Sequence, residues 1–163
     1  MNRLILLDSG PLGKIANPRQ TPEVKRCLQF IKEQKIALRV AEIIDYELRR
    51  NYLLEGFTKS ISKLNKYRQT KQFIPLTSEI MLEAAELWAW LQAQGLPTSS
   101  KNDIDKDVIL VASALSQKPD FDEVIILTSN AKHFVRFEEW GILTWDWKQA
   151  LSDCRYNEIN FYH

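Results

Sequence analysis

Five apolar runs, each too short to be a helix, divide the 163-residue chain: Leu4-Ile5-Leu6-Leu7, Ile36 to Val40, Phe73-Ile74-Pro75-Leu76, Glu123 to Leu127 and Ile142 to Trp145. Short apolar runs bounded by turn formers read as buried strands. The stretches between them repeat their apolar residues every three or four positions, as helices do. One helix is expected from Pro22 to about Gln34, opened by Thr21-Pro22-Glu23, and another from Ala41 to Leu54, closed by Gly56. A basic helix fills Thr58 to Gln69, and Thr77 caps one with Ile80, Ala84, Trp88 and Leu91 on a common face, ended by Gly95. "GLPTSSKND", Gly95 to Asp103, reads as a loop, and a shorter helix from about Asp105 to Ser116 follows it. Strands alternating with helices need crossover connections, which make a parallel sheet covered on both faces. The expected class is therefore α/β: a three-layer α/β/α sandwich around a central, mostly parallel sheet of four to five strands. Pro75 puts the third strand at an edge or at its own end. Trp88 and Trp90 are read as packing residues. Residues 1–150 form one domain in this reading, and the final stretch, 151–163, lacks periodicity and is taken as a tail.

A chain of this size buries about 70% of the surface its unfolded form exposes. Its 45% hydrophobic and 26% charged residues are those of a globular protein, not a disordered one. No uncharged apolar stretch is long enough for a membrane span, and the N-terminal run is too short for a secretion signal, so a cytoplasmic protein is expected. Cys27 and Cys154 form no CxxC and have no metal-ligand spacing to either histidine. Neither a disulfide scaffold nor a structural zinc is expected. The net charge of +1 hides a segregation. Arg49, Arg50, Lys59, Lys63, Lys66, Arg68 and Lys71 face a single acid, Glu55, within 49–71, so that stretch carries about +6 and the remainder about −5. Such a strip is either a solvated helix face or a phosphate-docking surface with Tyr52, Phe57 and Tyr67 interleaved for stacking.

Three carboxylates stand where solvated ones would not. Asp8 follows the first apolar run, at the carboxyl end of a strand, where open α/β sheets bind ligands; it could equally cap whatever follows. Glu47 lies four residues from Ile43 and three from Ile44, at the edge of an inward stripe, whereas Asp45 and Arg49 read as an exposed pair. Asp107 shares the stripe of Ile104 and Val111. An unpaired buried carboxylate costs several kcal/mol, so such groups are paired, protonated or metal-bound. If the three converge, their repulsion calls for a cation, and oxygen-only ligands select a hard one such as Mg²⁺ or Mn²⁺. Asp105 sits about 200° around the helix from Asp107, so it reads first as a cap and second as an outer ligand.

The order of "LLDSGPLG", "IIDYELRR", "DIDKDVILVASAL" and "ILTSNAKHF" resembles the PIN-domain family of metal-dependent ribonucleases, in particular the small VapC-type toxins of toxin–antitoxin pairs. The likeness spans nearly the whole chain. It implies acids gathered at one end of a parallel sheet, cutting single-stranded RNA with Mg²⁺ or Mn²⁺. Asp8, Glu47 and Asp107 match the family's metal-binding acids, and Thr128 the hydroxyl residue after the fourth strand; these with Asn130 form the implied catalytic set. The family usually places another acid at or shortly after Asn130, and here Asn130 and His133 stand instead. Whether one ion or two bind is thus open, with Glu138, Glu139 and Asp146 as the other nearby acids. The resemblance also implies a homodimer and an antitoxin protein as partner.

A bound cation lowers the pKa of a water, aims it at phosphorus and neutralises the leaving oxygen, so no side-chain nucleophile is required. Arg49, Arg50, Lys63, Lys66 and Arg68 begin two residues beyond Glu47 and are the candidate RNA ligands. The Gly95 to Asp103 loop is the candidate gate. A phosphoacceptor receiver domain fits poorly, because Ser9 rather than a second acid follows Asp8 and the middle strand ends in Thr77. The stronger rival is a catalytically degenerate PIN-like module that binds protein or RNA.

Overall fold

The computed structural model describes residues 1–95 and 101–160, with only the backbone of 101–103. Among these residues five strands form one sheet: β1 (Arg3–Leu7), β2 (Ala37–Ala41), β3 (Phe73–Ile74), β4 (Glu123–Thr128) and β5 (Ile142–Asp146). Their order is β3-β2-β1-β4-β5, and every pairing is parallel. The four residues Leu4 to Leu7 are fully buried, which explains the uninterrupted apolar run: a central strand covered on both faces has no solvent side to leave polar. β3 is the edge strand that Pro75 announces.

Among the described residues seven helices cover the sheet: α1 (Ser9–Ala16), α2 (Pro22–Glu33), α3 (Glu42–Glu55), α4 (Thr58–Arg68), α5 (Ser78–Ala93), α6 (Lys101–Leu115) and α7 (Trp147–Tyr156). The caps read from the sequence are present. The Thr21 side chain accepts from the Val24 N–H and that of Thr77 from the Ile80 N–H, while Gly56 ends α3 at φ 72°. Short 3₁₀ turns, Ala131–His133 and Val135–Trp140, carry the chain from β4 to β5.

The chain starts in the middle of the sheet, builds outward through β2 and β3, then returns to add β4 and β5 on the other side of β1. Between β1 and β4 the connections leave in opposite directions, and a crevice opens at the carboxyl ends of the strands. The register sets Leu7 against Leu127, and the Asp8 N–H donates to the Leu127 carbonyl at 2.9 Å. Asp8 and Thr128 therefore lie side by side at that crevice.

Several expectations need correction. Ser9 to Ala16 is a helix that no expectation named; Ser, two glycines and a proline hide it, yet Leu12, Ile15 and Ala16 are buried at helical spacing. A Cβ on Gly10 would meet the Ser129 hydroxyl, so glycine lets α1 lie close to the β4 loop without moving that side chain. On α5 the inward face is Ile80, Ala84, Leu87 and Leu91, while Trp88 is 44% exposed. Trp90 does pack, edge-on to Trp140 and tilted against Phe137. α6 begins at Lys101, so Asp105 lies inside the helix rather than at its cap, and the supposed loop is helical from 101; residues 96–100 lie outside the described residues.

The boundary at residue 150 falls within α7, because the chain from 147 to 156 is helical and packs on α2. Buried Asp153 anchors this region. Its oxygens accept from Trp145 Nε1 (2.8 Å), Gln149 Nε2 (2.7 Å) and the backbone N–H and Nδ2 of Asn160 (3.0 and 3.1 Å). Cys27 and Cys154, free thiols in the described residues, bring their sulfurs together where α2 meets α7. Nothing in their spacing announces that approach.

Candidate active site

Asp8 is at once the strand-end acid and the cap. Its Oδ1 accepts from the Ser9 N–H at 2.8 Å and its Oδ2 from Thr128 Oγ1 at 2.7 Å. Thr128 Oγ1 in turn accepts from the Asn130 N–H at 2.9 Å. This chain of bonds fixes the rotamer of a carboxylate that is 2% exposed.

Glu47 reaches the same crevice from α3 and Asp107 from α6, and between them stands a residue the sequence did not flag. Lys106 Nζ lies 3.7 Å from Asp8 Oδ1, 3.4 Å from Glu47 Oε2 and 3.5 Å from Glu47 Oε1. Burial alone would lower the Lys106 pKa. The charges of Asp8, Glu47 and Asp107, with the hydrogen bond to Glu47, outweigh that and hold it above the ordinary lysine value. The three acids named from the sequence therefore act on one ammonium. Lys106 precedes Asp107 by one residue, about 100° around the helix, and an aliphatic stem lets such a side chain reach back into a crevice. That adjacency was the available clue.

His133 Nδ1 lies 3.3 Å from Asp107 Oδ2. Asn130 is exposed and enters the site through its backbone N–H. A cleft of about 540 Å³, lined by Ser129 to His133 with Asp146 and Gln149, opens beside them. Asp146 caps α7 by accepting from the Gln149 N–H, and Glu138 and Glu139 are exposed. Asp105 is exposed and lines a groove with Met81, Ala84 and Trp88 of α5, a setting unlike that of an outer ligand.

The basic strip divides in two. Asp45 is 1% exposed rather than solvated, and Arg49 grips it with Nε and Nη2 at 2.8 and 3.0 Å. Arg68 adds a contact at 3.5 Å, pairs with Glu42 at 3.0 Å and lies over the Phe73 ring. Lys63 donates to the carbonyls of Ile15 and Asn17. Arg49, Lys63 and Arg68 thus bind the fold together, whereas Lys66 and Arg50 project outward, Arg50 over the Tyr46 ring. Of the interleaved aromatics, Phe57 is 52% exposed and Tyr67 packs on the core.

Hard-oxygen chemistry fits this pocket. The donors are carboxylates, Glu47 Oε2 is a buried oxygen that accepts no hydrogen bond among the described residues, and an ammonium already marks where positive charge is drawn. Among the described residues no three His, Cys, Asp or Glu side chains stand at ligating distance of one point as arranged, with Lys106 bridging Asp8 and Glu47. An ion among them requires that ammonium to shift. Among the described residues no helix is long and apolar enough to cross a membrane.

No protein-family model matches the sequence, and no curated protein does. Solved structures do. The chain is similar to one in the crystal structure of VapBC2 from Rickettsia felis bound to a DNA fragment from their promoter, with TM-score 0.66 and 17% identity over 88% of this chain and 99% of that one. It is similar to a chain of VapBC-1 from nontypeable Haemophilus influenzae, with TM-score 0.58 and 19% identity over 89% and 98% of the two chains. A chain of FitAcB from Neisseria gonorrhoeae gives TM-score 0.61 and 15% identity over 87% and 96%. With its five-stranded parallel sheet between helical layers, the chain has the PIN-type α/β/α fold of these VapBC and FitAcB structures.

Proposed function

We propose that this protein is a metal-dependent endoribonuclease that cleaves single-stranded RNA, the toxin of a toxin–antitoxin pair. One observation carries the reading: Asp8, Glu47 and Asp107, from a strand end and two helices, act on a single cation at the switch point of the sheet. The fold shared with VapBC and FitAcB chains supports a protein partner in the antitoxin role. A homodimer is proposed on the resemblance alone.

Asp8, Glu47 and Asp107 would hold Mg²⁺ or Mn²⁺, which supplies a water of lowered pKa and neutralises charge on the phosphoryl oxygens. Thr128 and the Ser9 N–H keep Asp8 in one orientation, so this ligand need not reorganise. Glu47 Oε2, which now faces the Lys106 ammonium at 3.4 Å, would turn to the ion once that ammonium shifts. Lys66 and Arg50, exposed and uncommitted to the core, would meet the RNA backbone, and the exposed ring of Phe57 would stack on a base. Arg49, Lys63 and Arg68 serve this surface by shaping it.

A degenerate module is the second reading, and Lys106 favours it, since an ammonium already neutralises part of the pocket. Calorimetric titration with Mn²⁺ and a cleavage assay on single-stranded RNA separate the two, comparing wild type with Asp8→Asn. Ion binding and cleavage that Asp8→Asn abolishes support the nuclease. No ion binding with equal, background rates establishes the module.

A further inference from the structure

We propose that Lys106 takes the place of a second divalent ion, so that the pocket holds a single metal alongside this ammonium. The inference rests on the nuclease reading and names how that site balances its charge. Taken as carboxylates, Asp8, Glu47 and Asp107 bring three negative charges, and Lys106 leaves two. One divalent ion neutralises the remainder, and a second would leave the pocket strongly positive before any RNA arrives.

Geometry agrees with charge. The ammonium stands within 4 Å of oxygens from two of the acids, and its side chain is only 16% exposed, so it belongs to the pocket and is not a surface lysine leaning in. Ligand supply agrees as well. A pair of ions about 4 Å apart needs oxygens enough to bridge and terminate both. Between β4 and β5, Asn130 contributes a backbone N–H and His133 stands against Asp107, while Asp146 lines the neighbouring cleft and gives Oδ2 to the cap of α7. When one ion takes the carboxylate oxygens, the ammonium moves off Asp8 or Glu47 while staying in the crevice. There it meets the phosphate charge that a second ion would otherwise meet.

The test is Mn²⁺ binding to the full chain, read by calorimetric stoichiometry and by electron paramagnetic resonance, which distinguishes isolated from spin-coupled ions. Wild type, Lys106→Gln, Lys106→Met and Lys106→Arg are compared, with thermal melting as the check on folding. Wild type and Lys106→Arg are expected to bind one uncoupled ion. Lys106→Gln and Lys106→Met are expected to gain a second, coupled ion or to bind the first on the order of tenfold more tightly. Two ions in wild type overturn the proposal, and wild-type stoichiometry alone decides it should the neutral variants not fold. One ion and RNA cleavage in wild type, with unchanged binding in both neutral variants, overturns this proposal and leaves the nuclease standing. No ion and no cleavage in wild type removes both.

Discussion

Thr128 Oγ1 donates a 2.7 Å hydrogen bond to Asp8 Oδ2, joining the ends of β4 and β1 across 120 residues of sequence. Both side chains are buried, so the bond offsets part of the desolvation cost of each. Thr128→Val keeps the shape and removes the donor, leaving an Asp8 oxygen unsatisfied. It should lower stability by about 1–3 kcal/mol in urea unfolding and reduce RNA cleavage, while Thr128→Ser retains most of both. Equal stability for the valine and serine variants would show that the bond is not needed.

Arg49 and Lys66 lie on the same basic strip and should behave differently. Arg49→Ala strips its main partner from buried Asp45, with the cost moderated toward the lower end of roughly 3–5 kcal/mol by Arg68. Lys66→Ala should leave unfolding unchanged, weaken RNA binding and make the salt slope shallower. Urea midpoints and RNA affinity at several salt concentrations distinguish the two roles.

Asp153 makes the stability of α7 depend on pH. Burial pushes its carboxyl up, but the hydrogen bonds from Trp145, Gln149 and Asn160 outweigh this and hold it below the ordinary aspartate value. The unfolded chain therefore takes up this proton at higher pH than the folded one. The contribution is complete above the unfolded value, near 4, and is lost as pH falls through the lower folded value. Asp153→Asn should flatten the decline of the urea midpoint between about pH 5 and pH 2.

The Cys154 thiol is pushed far up from its ordinary value, first by its hydrogen bond with Cys27 and then by burial. Because the thiolate is the reactive form and both sulfurs are buried, iodoacetamide at pH 8 should leave both cysteines unmodified in the folded protein and label both in urea. Mass spectrometry of the two samples reads the outcome.

The sheet was legible in the sequence because central parallel strands such as Leu4 to Leu7 cannot be mistaken for amphipathic surface elements. α1 was not, since its small residues and proline look like a turn until Gly10 is seen against Ser129. Asp8, Glu47 and Asp107 were recognisable as carboxylates placed where solvation fails. The status of Asp45 was hidden, because an i,i+4 pair with Arg49 looks alike on a solvated face and beneath a neighbouring helix bearing Arg68. Lys106 was hidden for a related reason: a long side chain beside a buried acid can turn outward or inward, and only three converging charges turn it in. Asp153 and the cysteine pair depend on α7 meeting α2, a contact with no local trace.

The central claim is that Asp8, Glu47 and Asp107 surround a divalent ion, and the anomalous difference map of Mn²⁺-soaked crystals tests it most directly. The account predicts one peak within ligating distance of all three carboxylates, with Lys106 Nζ displaced from Asp8 or Glu47 and still in the crevice. A map without a peak there, with the ammonium unmoved between Asp8 and Glu47, would contradict it.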